Sequence, residues 1–217
     1  MTGAWPVPLR GVTESLVTTL GPNGRYNVAA LGIRAPAAES GTDSGADSRA
    51  ESGADSGAES GAVGEGEVTA RTWGRTRTRR NFRERGGGHV QFVDDPVTFV
   101  RGALEVYEVE DPVLPEVAAW VEVDVEAVER GETEGTTWVE WALGPVDHEV
   151  RRREVPTFNR GYAAVVEATV ATSRLDVDGY DRATLRERIA YCEDVTERCG
   201  GPRERAAFDR LRRALED

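Results

Sequence analysis

The sequence has no lysine: all 27 of its basic residues are arginine, and they stand against 39 acidic residues in a chain of 217. The net charge is −12 at pH 7. This acidity disfavours general binding of polyanions such as nucleic acids. It is typical of a halophilic-type protein, in which hydrated carboxylates keep the chain dissolved in a salty cytoplasm.

Long hydrophobic runs are also missing. No segment approaches the roughly 20 apolar residues that span a bilayer, which argues against an integral membrane protein. Residues 1–11 lack a basic stretch followed by an apolar run, so no secretory signal is indicated. We therefore expect a soluble cytoplasmic protein without a membrane partner.

Cysteine and histidine are scarce. Cys192 and Cys199 are seven residues apart in a segment of helical periodicity, about 10 Å along the axis, which is too far for a disulfide in one straight helix. We expect both to be buried as small hydrophobic residues. His89 and His148 have no helical partner four residues away. No metal site and no catalytic acid or base is predicted.

One segment has the composition of a flexible loop. From Ser40 the sequence repeats a four-residue unit of small residues with one acid, SGTD-SGAD-SRAE-SGAD-SGAE. It contains no residue that can join a core, so residues 37–66 are predicted to form a disordered acidic loop. Deletion of residues 40–62 is expected to leave the fold intact.

The rest of the first 155 residues is rich in predicted strands. A strand–turn–strand pattern spans residues 12–33, with GPNG at the turn, and the acidic loop follows it as an enlarged hairpin tip. Alternation predicts further strands at 67–73, 89–93, 120–128 and 136–143, while 147–155 either continues the last strand or forms another. Two short helices are predicted at 78–85 and 97–104.

After residue 155 the pattern becomes helical. Apolar residues recur at helical spacing over 158–174, 181–198 and 202–215. The sequence therefore predicts an α+β fold with two units. These are a β-rich domain at 1–155, which contains the loop 37–66, and a helical C-terminal subdomain at 156–217.

A cluster of arginines inverts the local charge. Seven arginines and a single acid lie between Arg71 and Arg85, in the segment GRTRTRRNF and its flanks. Guanidinium groups, hydroxyls and free N–H groups at a helix start favour a phosphate. The alternative is a helix capped by Thr78 with solvated arginines, and the two interpretations stay open on residue types alone.

The segment NVAALGI, from Asn27, has small side chains at Ala29, Ala30 and Gly32. Such residues let a flat ligand approach the backbone, whose N–H and C=O groups then contact its edge. The alternative is a tightly packed buried strand. The four tryptophans at positions 73, 120, 138 and 141 fall in predicted strands, where core positions are the more common interpretation.

These pieces together resemble the DUF447 family of the FMN-binding split-barrel, flavin reductase-like superfamily. The matching segments, in order, are TESLVTTLGPNGRYNVAALGI, GRTRTRRNF, HVQFVDDPVTFVRGAL, HEVRRREVPTFNRGYAAVVEATVATSRL and ERCGGPRERAAFDRL. They cover nearly the whole chain except the repeat loop. The resemblance implies an FMN-binding split β-barrel with a C-terminal helical subdomain, and a homodimer.

The resemblance also implies cofactor-binding residues. Thr78 and Asn81, beside Arg77 and Phe82, match the family's phosphate and ribityl element. The strand implied to lie along the flavin ring consists of Asn27, Ala29, Ala30, Leu31 and Gly32, where Ala30 and Leu31 replace the family's frequent Pro and Met. Phe158, Asn159 and Arg160 match an element whose role is either ligand contact or docking of the helical tail.

The function expected from these arguments is that of an FMN-binding flavoprotein. It would transfer electrons or hydride through the flavin, with a nicotinamide or a protein as electron donor, and the catalytic residues and substrate are unknown. One alternative is a non-catalytic flavin-binding protein. A second is a nucleic-acid-binding module built on the Arg71–Arg85 cluster, which the overall acidity disfavours.

Overall fold

The computed structural model describes residues 4–35, 67–133, 135–153, 155, 157–177 and 179–216, so the loop predicted at 37–66 lies outside the described residues. The strands are β1 Val12–Leu20, β2 Tyr26–Arg34, β3 Thr69–Trp73, β4 Gly87–Phe92, β5 Tyr107–Val109, β6 Ala119–Thr133 and β7 Thr136–Val150. The helices are α1 Arg77–Arg85, α2 Pro96–Leu104, α3 Arg160–Thr172, α4 Arg182–Cys199 and α5 Pro202–Glu216.

Six of the strands close into an antiparallel barrel. Their order is β1-β4-β6-β7-β3-β2, and pairing of β1 with β2 closes the circle, while β5 adds to the outer edge of β2. Closure leaves none of these six strands as a free sheet edge over its whole length. The predicted α+β class and split-barrel fold with C-terminal helices are confirmed.

The barrel interior is apolar because alternate residues of each strand point inward. The core includes Val17, Ile33, Val90, Val121 and Leu143, all almost fully buried. The ring of Phe82, from α1, also lies in this core, with its centroid 5.3 Å from that of Trp141 and nearly edge-on to it. Helix α1 therefore plugs one end of the barrel.

The barrel is incomplete along one seam. Strand β2 pairs with β5 over Tyr26–Val28 and with β3 only at Ile33 and Arg34. Residues 29–32 pair with β1 on one side, and on the other side no described strand pairs with them. Backbone groups in such a seam need another partner, such as water or a ligand.

The helices form a layer on one side of the barrel. Helices α3, α4 and α5 share a buried cluster with Val100 of α2, although α2 comes from the β-rich part of the sequence. A second cluster joins Phe99 of α2 to Leu16 and Val28 on the outer faces of β1 and β2. Helix α2 thus connects the barrel wall to the C-terminal helices.

The sequence-based boundaries need several corrections. Strand β6 runs to Thr133, five residues past its predicted end, and β7 runs to Val150, so residues 147–150 continue β7, which is one of the two alternatives considered for 147–155. Helix α3 begins at Arg160 and not at Phe158, since Asn159 is its N-cap. Strand β5 was not predicted, because three residues carry too little periodicity. None of the described helices is long and apolar enough to cross a membrane.

Candidate functional site

The N-terminus of α1 is basic and free of acids. Its N-cap is Thr76, whose hydroxyl accepts a hydrogen bond from the backbone N–H of Arg79 at 3.2 Å. The alternative capping role considered for Thr78 is therefore wrong. No acidic residue lies in the first turn, so the positive end of the helix dipole is not neutralised there.

The arginines around α1 do not form one basic face. Arg79 donates to the carbonyl oxygen of Gly74 and to Thr137, and Arg80 donates to the side-chain oxygen of Asn81. Arg77 forms an ion pair with Glu108 of β5, with Nη1 and Oε1 3.1 Å apart. Arg75 is exposed and has no hydrogen-bond or ion-pair partner among the described residues.

The inner face of α1 anchors the helix to the barrel. Asn81 is 1% exposed, and its amide donates to the hydroxyl of Thr19 at 3.0 Å and to the Thr19 carbonyl at 3.4 Å. Thr78 and Phe82 are buried on the same face. Of the residues predicted to bind the phosphate and the ribityl chain, Arg77 is exposed. Thr78, Asn81 and Phe82 are buried and hold the helix in place.

The Arg77–Glu108 ion pair brings the two predicted motifs together. Glu108 pairs in register with Asn27, the first predicted residue of the ring-binding strand. Asn27 also pairs with Thr19, which accepts the hydrogen bonds of Asn81. The start of β2 and the N-terminal half of α1 therefore lie at the same end of the barrel, 50 residues apart in sequence.

The five predicted residues of β2 do not share one face. Ala29 and Leu31 pack with the barrel core, whereas Ala30 packs with the outer cluster beneath α2. By strand alternation Asn27 points inward with Ala29 and Leu31, and Gly32 points outward with Ala30. Four of the five lie in the seam and share its backbone edge rather than a side-chain surface, whereas Asn27 lies two residues before the seam and pairs with Glu108 of β5.

A cavity of about 410 Å³ opens at the far end of this seam. Ala30, Leu31 and Gly32 form part of its wall. The opposite wall comes from Arg71 and Trp73 of β3, and the C-terminal end of α3 closes it with Ser173 and Arg174. Its volume lies within the usual range of small-molecule pockets, about 300–1,000 Å³.

Arg71 is a charged group of this cavity wall that contacts both a carboxylate and aromatic rings. Its Nε donates to Glu140 Oε2 at 2.6 Å, and the Glu140 side chain is only 6% exposed. The guanidinium carbon lies 3.9 Å from the ring centroid of Trp138 and 5.7 Å from that of Trp73. Such a guanidinium gains from both the carboxylate and the aromatic face.

Sequence reasoning missed this arrangement. Trp73 was interpreted as a core residue, but 42% of it is exposed. The available signal was the alternation in the segment TARTW, which places Arg71 and Trp73 on one face and Ala70 and Thr72 on the other. Which face points outward depends on pairing with β7, which lies more than 60 residues away.

Glu14 is the one acid among the described residues that line the cavity. Burial raises the pKa of its carboxyl group by disfavouring the charged form, Glu167 raises it further, and Arg174 acts in the opposite direction. Arg34, Arg71 and Arg174 also line the cavity. Among the described residues of this wall, positive charges therefore outnumber negative ones, in a chain that is acidic overall.

Phe158, Asn159 and Arg160 lie on a different surface. The side-chain oxygen of Asn159 accepts from the N–H groups of Gly161 and Tyr162, and its amide donates to Glu204 of α5. Of the two roles considered for this element, Asn159 performs docking of the helices. Phe158 is fully exposed and, with Val155, borders an open cleft of about 1,040 Å³.

Neither histidine belongs to the cavity wall. The ring of His89 packs against Tyr26 and Trp120, and its pKa is lowered chiefly by burial, with Glu122 acting in the opposite direction. His148 is exposed on β7. Within the described ranges, no group of three or more His, Cys, Asp or Glu residues is arranged to hold a metal ion.

The chain matches one known protein family and is similar to several solved structures. Residues 61–152 match the model of the N-terminal domain of a family described as protein of unknown function (DUF447), and residues 159–213 match the C-terminal model of that family. An FMN-bound protein of this family from Methanosarcina mazei is 24% identical, with a TM-score of 0.70. The alignment covers 95% of this chain and 97% of that chain.

Two more distant structures are also similar. Flavoredoxin of Desulfovibrio vulgaris is 14% identical over 74% of this chain and 85% of that chain, with a TM-score of 0.42. The flavin reductase of styrene monooxygenase from Pseudomonas putida is 12% identical over 66% and 81%, with a TM-score of 0.36.

Proposed function

This chain belongs to the DUF447 family, and from that membership we propose that it is an FMN-binding flavoprotein with flavin reductase-like chemistry. The FMN-bound relative from Methanosarcina mazei supports the choice of cofactor. We assign flavin binding to the barrel unit, residues 1–155, and support of the site to the helices of residues 156–217.

The observation that carries this proposal is the seam in the barrel. Residues 29–32 of β2 have no described strand on one side, the basic N-terminus of α1 lies at one end of the seam, and the cavity lies at the other. A long ligand suits that layout when its anionic end lies at α1 and its planar end lies along the backbone edge of residues 29–32, with the cavity beyond it. FMN has both, since its phosphate and its ring system are joined by the ribityl chain.

The chain's own residues have separate tasks in this proposal. Arg75, Arg77 and the first N–H groups of α1 hold the phosphate, and the part of the helix that carries the buried Thr78 and Asn81 lies beside the ribityl chain. Asn27, Ala29, Ala30, Leu31 and Gly32 border the ring through the backbone of β2. Asn81 and Phe82 also anchor α1, so that its N-terminus keeps a fixed position relative to β2.

When bound, FMN supplies hydride or single-electron transfer, while the protein provides placement and electrostatics. Arg71 adds positive charge in the wall next to Ala30 and Gly32. No catalytic residue is assigned in this proposal.

Binding of the phosphate is tested by comparing FMN with riboflavin, which lacks it. Charge-assisted hydrogen bonds contribute about 1.5–3 kcal/mol each, so losing two weakens binding by about two to four powers of ten. Titration followed by flavin fluorescence measures both affinities. FMN and riboflavin binding with equal affinity would contradict the phosphate assignment.

Variants locate the phosphate more sharply. Arg75→Gln and Arg77→Gln should weaken FMN binding and leave riboflavin binding nearly unchanged. The matched control is Arg83→Gln, an exposed arginine in the last turn of the same helix. If Arg83→Gln lowers the FMN-to-riboflavin affinity ratio as much as the other two, the arginines act only through general charge.

Turnover distinguishes an enzyme from a non-catalytic flavin carrier. FMN-loaded protein is mixed with NADH or NADPH in a stopped-flow instrument, and flavin absorbance is followed. We expect bleaching with one of the two nucleotides. Absorbance that stays constant with both, while FMN remains bound, favours a carrier or a protein electron donor.

We also propose that the protein is a homodimer. Large hydrophobic side chains are exposed at Phe158, Val155 and Val106, and exposed apolar groups of this kind often mark contacts between chains. Light scattering in high salt should give about twice the chain mass of 23.6 kDa. A monomer that binds FMN fully would show that one chain contains the complete site.

A further inference from the structure

The two Nη groups of the Arg71 guanidinium take no part in its hydrogen bond with Glu140. Its Nε donates to Glu140, but its two Nη groups have no hydrogen-bond acceptor among the described residues. The Arg71 side chain is 23% exposed, so part of it reaches solvent. Since Arg71 lines the cavity, these donors are available to a molecule inside it.

The position of Arg71 is fixed before any ligand arrives. The carboxylate of Glu140 accepts a hydrogen bond from its Nε, and the ring of Trp138 lies against its guanidinium group. An arginine held in this way loses little side-chain entropy when it binds an anion, and its planar fork matches a carboxylate. The cavity thus has a preorganised anion-binding group.

The walls of the cavity favour a flat molecule. Trp73 and Tyr180 both line the cavity, and 42% and 44% of their surfaces are exposed. Aromatic side chains left exposed in a cavity wall offer planar faces for stacking. Arg34 and Arg174 add further positive charge, against Glu14.

We propose that this cavity binds a small aromatic carboxylate, with the carboxylate on the Nη groups of Arg71 and the ring between the aromatic walls. The cavity shares Ala30, Leu31 and Gly32 with the β2 edge assigned to FMN, so the ligand lies beside the flavin. That neighbourhood rests on the proposed function, whereas the anion site itself rests only on the cavity.

The experiment titrates FMN-loaded protein with benzoate, and with benzamide as the uncharged counterpart. Calorimetry measures binding, and the visible spectrum of the flavin reports on proximity. We expect benzoate to bind at least about tenfold more tightly than benzamide and to shift the flavin absorbance bands. Equal affinity for the two compounds would overturn the proposal.

Variants test the assigned residue. Arg71→Met leaves Glu140 buried without a partner, so the double variant Arg71→Met/Glu140→Leu, which removes the whole ion pair, is measured beside it. Both should lose benzoate affinity by about ten- to hundredfold. The matched control is Arg101→Met, because Arg101 also stacks on an aromatic ring, that of Tyr107 at 3.7 Å, but lies outside the cavity.

The binding results for benzoate and for FMN show separately whether the anion site or the proposed flavin binding fails. Benzoate that displaces FMN competitively would show that the cavity holds the flavin ring, which overturns the second site. Benzoate binding that is unchanged in both Arg71 variants would also overturn it. If the protein binds no FMN, the proposed function fails, and calorimetry with benzoate on the flavin-free protein and the same variants still decides the anion site.

Discussion

Gly131 and Trp138 face each other across the β6–β7 hairpin, so closely that a Cβ atom on Gly131 would lie 2.4 Å from Cζ2 of the indole. The ring therefore lies flat over β6, where its Nε1 donates to Thr133. The guanidinium carbon of Arg71 lies over the same ring, 3.9 Å from its centroid. A glycine on one strand thus sets the position of an arginine on another.

Replacement of this glycine should disturb both stability and the cavity. Gly131→Ala forces the indole to move, and overpacking of this kind costs about 1–3 kcal/mol. We expect a lower melting temperature and weaker benzoate binding. Gly144→Ala is the matched control on the same hairpin, since the nearest atom to its added Cβ is 3.9 Å away. Equal effects of the two substitutions would show that the Trp138 contact is unimportant.

Asn81 should matter to the protein even without a ligand. Asn81→Ala removes the amide that donates to Thr19 and leaves buried polar atoms unpaired, at a cost of about 1–3 kcal/mol. Chemical denaturation of the flavin-free protein measures this loss. Asn23→Ala, in the exposed turn between β1 and β2, is the comparison. If flavin-free stability is unchanged in Asn81→Ala, the role of this residue lies only in ligand binding.

Asp95 should contribute stability that depends on pH. Burial acts to raise the pKa of this carboxyl group, but hydrogen bonds from Thr98 and the ion pair with Arg203 outweigh it and lower the pKa. A lowered pKa means that the stabilisation is fully present above the ordinary carboxyl pKa of about 4 and is lost as pH falls through the lowered value.

The corresponding variant is Asp95→Ala, which removes the N-cap of α2. Loss of a cap costs about 0.5–2 kcal/mol, and we expect that cost at pH 7 in urea denaturation. The difference from the unmodified protein should shrink as the pH is lowered below 4. Exposed Asp111, changed to Ala, serves as the control. A difference that stays constant down to acidic pH would contradict the role assigned to the charged form.

The two cysteines should differ in reactivity. Cys192 is buried between the helices, and burial raises the pKa of its thiol, as does Glu167, whereas Arg188 acts in the opposite direction. Cys199 is exposed at the end of α4, so the expectation that both cysteines are buried was wrong. A thiol reagent such as Ellman's should modify one cysteine rapidly in the native protein. Cys199→Ser should abolish this rapid phase, and two rapid thiols would show that α4 opens readily.

Local sequence patterns determined most of the secondary structure. Alternation in WVEVDVEAV and TTWVEWAL requires strands, and Gly86 and Gly200 end helices where the sequence places them. These features depend on residues a few positions apart, so they can be predicted without knowing which other segment each strand or helix contacts. The arginine cluster and the small residues of β2 were visible in the same way, and the family resemblance supplied their order.

Long-range pairing decided what those motifs do. The barrel places Arg77 next to Glu108, directs Arg71 outward onto Trp138, and leaves residues 29–32 without a second strand neighbour. Each of these relationships joins segments far apart in sequence. Periodicity shows that a strand has two faces, but only closure of the barrel determines which face becomes core and which becomes cavity wall.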